Sequence, residues 1–232
     1  MKKLALNTRY LCLFLGIPAL LWPLLYLCRP LWYVPRCAVV PSPCVFDAVN
    51  SFDRISFQFN SVRADFLSNV VQNSVAVIAI SLIWIYFKKR PLRAFQESFF
   101  LLGATLWNGA ALELTRSFVQ RPRPLVYSAP MLDGAKISQY TSFFSGHTSF
   151  VATAMLSLAL IARRDHTPTH PTTRICIGLL FFYFVLSALT GSLRIYGGRH
   201  FPTDVICGFI AGSLVAWFWN QIWERKVLSM KH

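Results

Sequence analysis

Apolar residues in this chain come in six long blocks, each close to the ~20 residues an α-helix needs to cross a bilayer. They fall at about 10–28, 66–87, 97–115, 147–162, 175–193 and 203–223. Hydrocarbon offers no water to stray N–H and C=O groups, so each block must close its own hydrogen bonds as a helix. The expected architecture is all-α: one six-transmembrane-helix bundle occupying residues 1–232 as a single domain. No internal repeat, low-complexity tract or soluble linker interrupts it. Only 14% of the residues are charged, where a soluble domain carries about a quarter.

The first block follows Lys2 and Lys3, as a signal peptide would. It is long, however, contains Pro18 and Pro23, ends in Cys28-Arg29-Pro30, and lacks a small-residue cleavage site, so a retained helix is expected.

A net charge of +14 would point to nucleic acid in a soluble protein. Here much of it follows the positive-inside rule, and no nucleic-acid partner is expected. With the N-terminus inside, the short inner segments hold Lys2, Lys3 and Arg9, then Lys88, Lys89, Arg90 and Arg93, then Arg163, Arg164 and Arg174, then Arg225, Lys226 and Lys231. Membrane anchoring is the simplest role for the 88–93 cluster, ahead of specific binding to anionic lipid. The same topology puts the 116–147 stretch and the 194–204 loop on one outer face, though the charge count took no account of their chemistry.

Those two stretches carry the residues suited to phosphate. Arg116 and Arg123 flank and end a run, Arg121-Pro122-Arg123-Pro124, whose prolines stiffen the backbone. An arginine fork matches phosphate oxygens and stays charged, although arginines at helix ends also snorkel to headgroups with no further role. Glu113, three residues before Arg116, is placed to pair with it on one helix face. Ser145-Gly146-His147 opens the fourth block. A helix start presents free N–H groups to an anion, Gly146 allows close approach, and Ser145 caps the helix or donates to a phosphate oxygen. Alone, this tripeptide reads equally well as a capped helix with an interfacial histidine. The third piece is stronger. Arg194 is followed by a two-glycine loop, then His200, then Pro202 at a helix start and Asp204 four residues after His200. That spacing lets the carboxylate accept a ring proton and leave the other nitrogen free as a nucleophile; the plainer reading is a surface histidine beside a capping aspartate.

The ordered trio resembles the signature of the type-2 phosphatidate phosphatase superfamily, which includes the vanadium haloperoxidases: Lys-x6-Arg-Pro, Pro-Ser-Gly-His and Ser-Arg-x5-His-x3-Asp. Here it reads Arg116-x6-Arg123-Pro124, Phe144-Ser145-Gly146-His147 and Leu193-Arg194-x5-His200-x3-Asp204. The resemblance runs from the third block to the sixth, and six spans match the membrane-bound branch. It implies that His200 attacks phosphorus to give a phosphohistidine, that Asp204 orients it, and that His147 is the general acid and later helps to activate water. It further implies that Arg116, Arg123 and Arg194, with Ser145 and the Gly146 amide, hold the phosphate oxygens, with no metal and no other cofactor. Arg116 stands for lysine, Phe144 for proline and Leu193 for serine; none of the three removes a proton carrier or the nucleophile, so an active enzyme is expected.

The substrate expected at an outer interface is a membrane lipid phosphate: phosphatidate, phosphatidylglycerol phosphate, lipid A phosphate or polyprenyl diphosphate. A lipid phosphotransferase is the alternative, since sphingolipid synthases resemble the two-histidine, one-aspartate arrangement, but Arg123 and Arg194 favour a phosphatase. A transporter or channel would need polar residues along the spans, whereas the notable ones gather at one face. The compact chain is similar to small bacterial members, which implies an inner-membrane protein with its site facing the periplasm. The outer 46–59 segment is read as an interfacial amphipathic stretch or as packing over the bundle. Cys12, Cys28, Cys176 and Cys207 read as packing residues, and Cys37 with Cys44 as an even choice between disulfide and free thiols. Gly208 and Gly212 form a G-x-x-x-G pair expected to pack inside the bundle.

Overall fold

The computed structural model describes residues 4–6, 8–33, 46–128, 137–165 and 172–230. Its elements run in chain order as β1 (Leu4–Leu6), α1 (Thr8–Leu27), α2 (Arg29–Trp32), α3 (Val62–Tyr86), α4 (Pro91–Val119), α5 (Pro124–Ser128), α6 (Gly146–Arg164), α7 (Thr172–Tyr196), α8 (Pro202–Ile222) and β2 (Leu228–Met230). Each of the six apolar blocks lies within one of the long helices or overlaps most of it. β1 and β2 form a three-residue antiparallel ribbon, Leu4 opposite Met230, that hydropathy alone does not predict.

Among the described residues four stretches are long and apolar enough to cross a membrane: Arg9–Leu27, Val62–Tyr86, Arg174–Tyr196 and Pro202–Lys226. Helices α4 and α6 fall short because they are the interior of the bundle. α6 packs against α3, α4, α7 and α8, and its Thr148, Ser149, Thr153 and Ser157 are all buried in protein. α4 buries Gln96, Glu97, Asn108 and Glu113. Polar side chains on these two helices serve helix–helix contacts: Asn108 donates to Ser149 Oγ at 3.2 Å and Thr153 Oγ1 to the Gly212 carbonyl at 3.0 Å. The outward faces of α1, α3 and α7 are apolar, with Leu20, Leu27, Val77, Phe181 and Phe184 among the exposed side chains.

Local chemistry explains the joints. Pro18 in α1 has no N–H to give the Phe14 carbonyl one turn back, and Trp107 Nε1 of α4 donates to that carbonyl instead, at 3.0 Å. Gly208 and Gly212 bring α8 onto α6: a Cβ at 208 would come within 2.6 Å of the Ser145 carbonyl, and one at 212 would strike the Ser149 carbonyl. The pair therefore packs within the chain.

Two expectations change, and the alternatives for the 46–59 segment resolve to packing over the bundle. The 46–59 segment forms two 3-10 turns, Phe46–Ala48 and Asp53–Gln58, and buries Asp53 and Ser56 beneath the start of α8. Two arginines of the inner cluster are tied into the protein: Arg90 grips Asp165 with bonds of 2.8 and 2.7 Å, and Arg93 meets the buried Glu97 at 2.6 Å. Internal pairing, beyond anchoring, accounts for them. Cys12, read as packing, is an exposed free thiol. Cys37 and Cys44 lie outside the described residues.

Candidate active site

All three motif segments meet at one end of the bundle, joined by main-chain bonds. The Ser142 N–H donates to the Arg121 carbonyl at 2.8 Å, and the Ser145 N–H to the Asp204 carbonyl at 2.9 Å. The two-glycine loop adopts its turn because Gly198 has φ +65°, and a Cβ there would lie 2.6 Å from the Phe59 carbonyl.

His200 sits just before α8 and is fully buried. Its Nε2 has no hydrogen-bond partner among the described residues. Its Nδ1 lies 3.4 Å from Ser142 Oγ and 3.6 Å from Asp204 Oδ2, while Ser142 Oγ donates to Asp204 Oδ2 at 2.5 Å. The direct histidine–aspartate hydrogen bond expected from the i, i+4 spacing is therefore replaced by one running through Ser142. The reason is that Asp204 is already committed. Its Oδ2 also takes the Phe201 N–H at 3.0 Å, capping α8, and its Oδ1 takes Arg121 Nη1 at 2.6 Å.

The arginines surround this histidine. Arg194 donates to Asp65 and to Ser68 Oγ, the latter at 3.0 Å. Arg116 meets Glu113 at 3.4 Å, and its Nη2 would lie 3.3 Å from a Cβ at Gly146. Glu113 is shared, since Arg29 Nε also donates to it at 2.7 Å. Arg123 has no carboxylate within ion-pair distance among the described residues. The Nε atoms of Arg116, Arg123 and Arg194 are all buried without a partner among those residues. Burial, followed by the fields of Arg116 and Arg194, lowers the Arg123 guanidinium to a pKa of about 9. Burial first, then Arg123, Arg194 and Arg116, pushes the His200 imidazolium well below the usual histidine value. His200 is thus neutral at physiological pH, with a lone pair on Nε2 when Nδ1 carries the proton.

His147, in the first turn of α6, donates from Nε2 to Asn69 Oδ1 at 2.6 Å. Ser145 is fully buried and occupies the N-cap position without a side-chain cap. Its hydroxyl instead contacts Thr148 Oγ1 at 2.9 Å. All eight residues singled out from the sequence, His200, His147, Asp204, Arg116, Arg123, Arg194, Ser145 and Gly146, therefore lie in or beside this cluster.

Sequence reasoning missed a second set. Asp65, Ser68 and Asn69 come from one face at the start of α3; Ser142 and Arg121 come from loops, Asp53 from a 3-10 turn and Thr203 from the first turn of α8. One signal was available for the acids. In a chain with 9 acidic and 23 basic residues, every outer aspartate is a candidate counter-ion.

An arrangement of this kind can hold a phosphoryl group with buried cations while a neutral imidazole faces phosphorus. The fold matches that in the crystal structure of the first transmembrane PAP2 type phosphatidylglycerolphosphate phosphatase from Bacillus subtilis, with a TM-score of 0.52, 19% sequence identity, and coverage of 90% of this chain and 96% of that one. The family model of the PAP2 superfamily matches residues 97–228, the stretch that contains all three motifs. On that match, over more than half of its length, the chain belongs to the PAP2 superfamily.

Proposed function

We propose that this protein is a metal-independent lipid phosphatase that works through a phosphohistidine. The observation that carries the reading is the buried, unpartnered Nε2 of His200 inside a ring of three arginines. The arginines bind the phosphate of a lipid headgroup and stabilise the charge that spreads over its oxygens in the transition state. His200 Nε2 forms a bond to phosphorus as the bond from phosphorus to the lipid oxygen breaks. His147, held at Nε2 by Asn69 Oδ1, gives a proton to that oxygen. Water then attacks the phosphohistidine, His147 takes a proton from it, and inorganic phosphate departs. Throughout, Ser142 and Asp204 keep the proton on His200 Nδ1.

In this reading all six long helices span the membrane, α4 and α6 enclosed by the other four, and the site faces outward, to the periplasm of a bacterial inner membrane. Candidate substrates are phosphatidate, phosphatidylglycerol phosphate, lipid A phosphate and polyprenyl diphosphate. The second of these has the support of the solved relative's own substrate.

The test is phosphate release from a panel of these four lipids by purified wild-type protein and His200→Ala, each with EDTA and with or without an acceptor lipid. Wild type is expected to release phosphate in EDTA, and the variant to release none while still inserting into membranes. Turnover by the variant would overturn the nucleophile assignment. Transfer to the acceptor in place of release would make the protein a phosphotransferase.

A further inference from the structure

The start of α8 is held from beneath by residues that belong to none of the three motifs. Asp53 is fully buried. Its Oδ1 accepts from the Thr203 N–H at 3.0 Å; its Oδ2 accepts from Thr203 Oγ1 at 2.6 Å, Arg121 Nη2 at 2.7 Å and Asn50 Nδ2 at 2.7 Å. The other arm of Arg121 reaches Asp204 Oδ1 and Thr203 Oγ1, at 2.6 and 2.7 Å. The guanidinium lies 4.1 Å from the Phe201 ring centroid. One arginine therefore bridges two fully buried carboxylates, and only one of them belongs to the motif.

We infer that Arg121 and Asp53 form a positioning clamp that aims Asp204 at Ser142 and His200 and limits the negative charge the nucleophile feels. The inference rests on the phosphohistidine reading above. Aiming follows from geometry. With Oδ1 held by Arg121 Nη1 and Oδ2 by the Phe201 N–H, the carboxylate cannot rotate, and Oδ2 is the oxygen presented to Ser142 and His200. Limiting follows from charge. His200 faces Arg123, Arg194, Arg116 and His147 on one side and Asp204 on the other. Arg121 faces Asp204 and Asp53, with Tyr127 close by, while Asp65 is shared by Arg194 and, at 2.8 Å, Arg199. Arg121 thus offsets part of the field of Asp204.

Two substitutions that break the same clamp should then act in opposite senses. Arg121→Gln leaves two uncompensated carboxylates near His200, stabilises its imidazolium, and moves the acid limb of kcat/KM to higher pH, by on the order of one unit. Asp53→Asn leaves Arg121 to Asp204 alone and moves that limb to lower pH. Arg121→Lys keeps the charge but loses the fork. It should leave the limb in place while kcat falls, by up to about 100-fold if Asp204 turns away.

The experiment is the pH profile of phosphate release from short-chain phosphatidate in detergent micelles by wild type and the three variants, with folding followed by near-UV circular dichroism. Opposite displacements in Arg121→Gln and Asp53→Asn support the clamp. Folded variants with lower rates and an unmoved acid limb, or with limbs displaced the same way, overturn it. Should Arg121→Gln fail to fold, Asp53→Asn decides alone: displacement to lower pH supports the clamp, and no displacement overturns it. His200→Ala in the same assay keeps the two readings apart, because its turnover, or a wild type inert on every lipid of the panel, defeats the phosphohistidine mechanism whatever the clamp variants do.

Discussion

Both ends of the bundle bury arginines, and the two ends treat them differently. At the end that carries the 88–93 cluster Glu97, fully buried, lies between Arg93 and Arg164. Arg164 also donates to Asn220 and lies 4.1 Å from the Phe100 ring centroid, and Asn220 passes the chain on to Glu224 at 3.1 Å. At the end that carries the motifs Asp65 serves Arg194 and Arg199 together and Glu113 serves Arg29 and Arg116, while Arg123, beside His200, has no carboxylate within ion-pair distance among the described residues. An arginine closed onto a carboxylate is a structural tie. An arginine without one, beside a neutral nucleophile, is a place for an anion. Helix-end position in the sequence does not separate these cases, and nor do spare donors, since Arg93 and Arg164 also keep buried nitrogens without a partner among the described residues; the missing carboxylate at Arg123 does.

The contrast is breakable by mutation. Arg123→Ala should have the largest effect on activity, lowering kcat by about 10²–10³ as one preorganised cation is lost from the transition state, with the thermal midpoint in detergent held or raised because a buried, unpaired charge has gone. A fall in stability as large as the fall in activity would make Arg123 a structural tie as well. Glu97→Ala should do the reverse. Leaving Arg93 and Arg164 buried without their carboxylate costs about 3–5 kcal/mol, read as a lowered unfolding midpoint, while kcat per folded molecule stays near wild type. Lost turnover at full stability would mean that the Glu97 network reaches the site. The smallest effect belongs to Asp165→Asn. Its partner Arg90 is 44% exposed, so about 1 kcal/mol or less is expected from chemical denaturation.

How much of this was legible beforehand follows the same line. The six long helices were readable because apolar blocks of spanning length have one solution in hydrocarbon. Motif order and charge asymmetry brought His200, His147 and the three arginines to one end. What stayed hidden was partnership over long sequence distances. Nothing in the sequence places Asp53 against Thr203, 150 positions away, and the i, i+4 spacing of His200 and Asp204 gave no hint of Ser142 between them. Asn69 sits on a helix whose outward neighbours Phe66, Leu67 and Val70 are exposed and apolar, so hydropathy reads that face as lipid contact alone. The ribbon of Leu4–Leu6 with Leu228–Met230 escaped for a related reason. Pairing between chain ends leaves no periodic trace.

The seam between α6 and α8 has a mechanical consequence. With hydrogen as the only substituent at Gly208, the Ser145 carbonyl comes up against bare backbone, and the elements bearing His147 and His200 are braced at their starts. The phosphate cradle is then a fixed gauge, the same for any lipid presented to it.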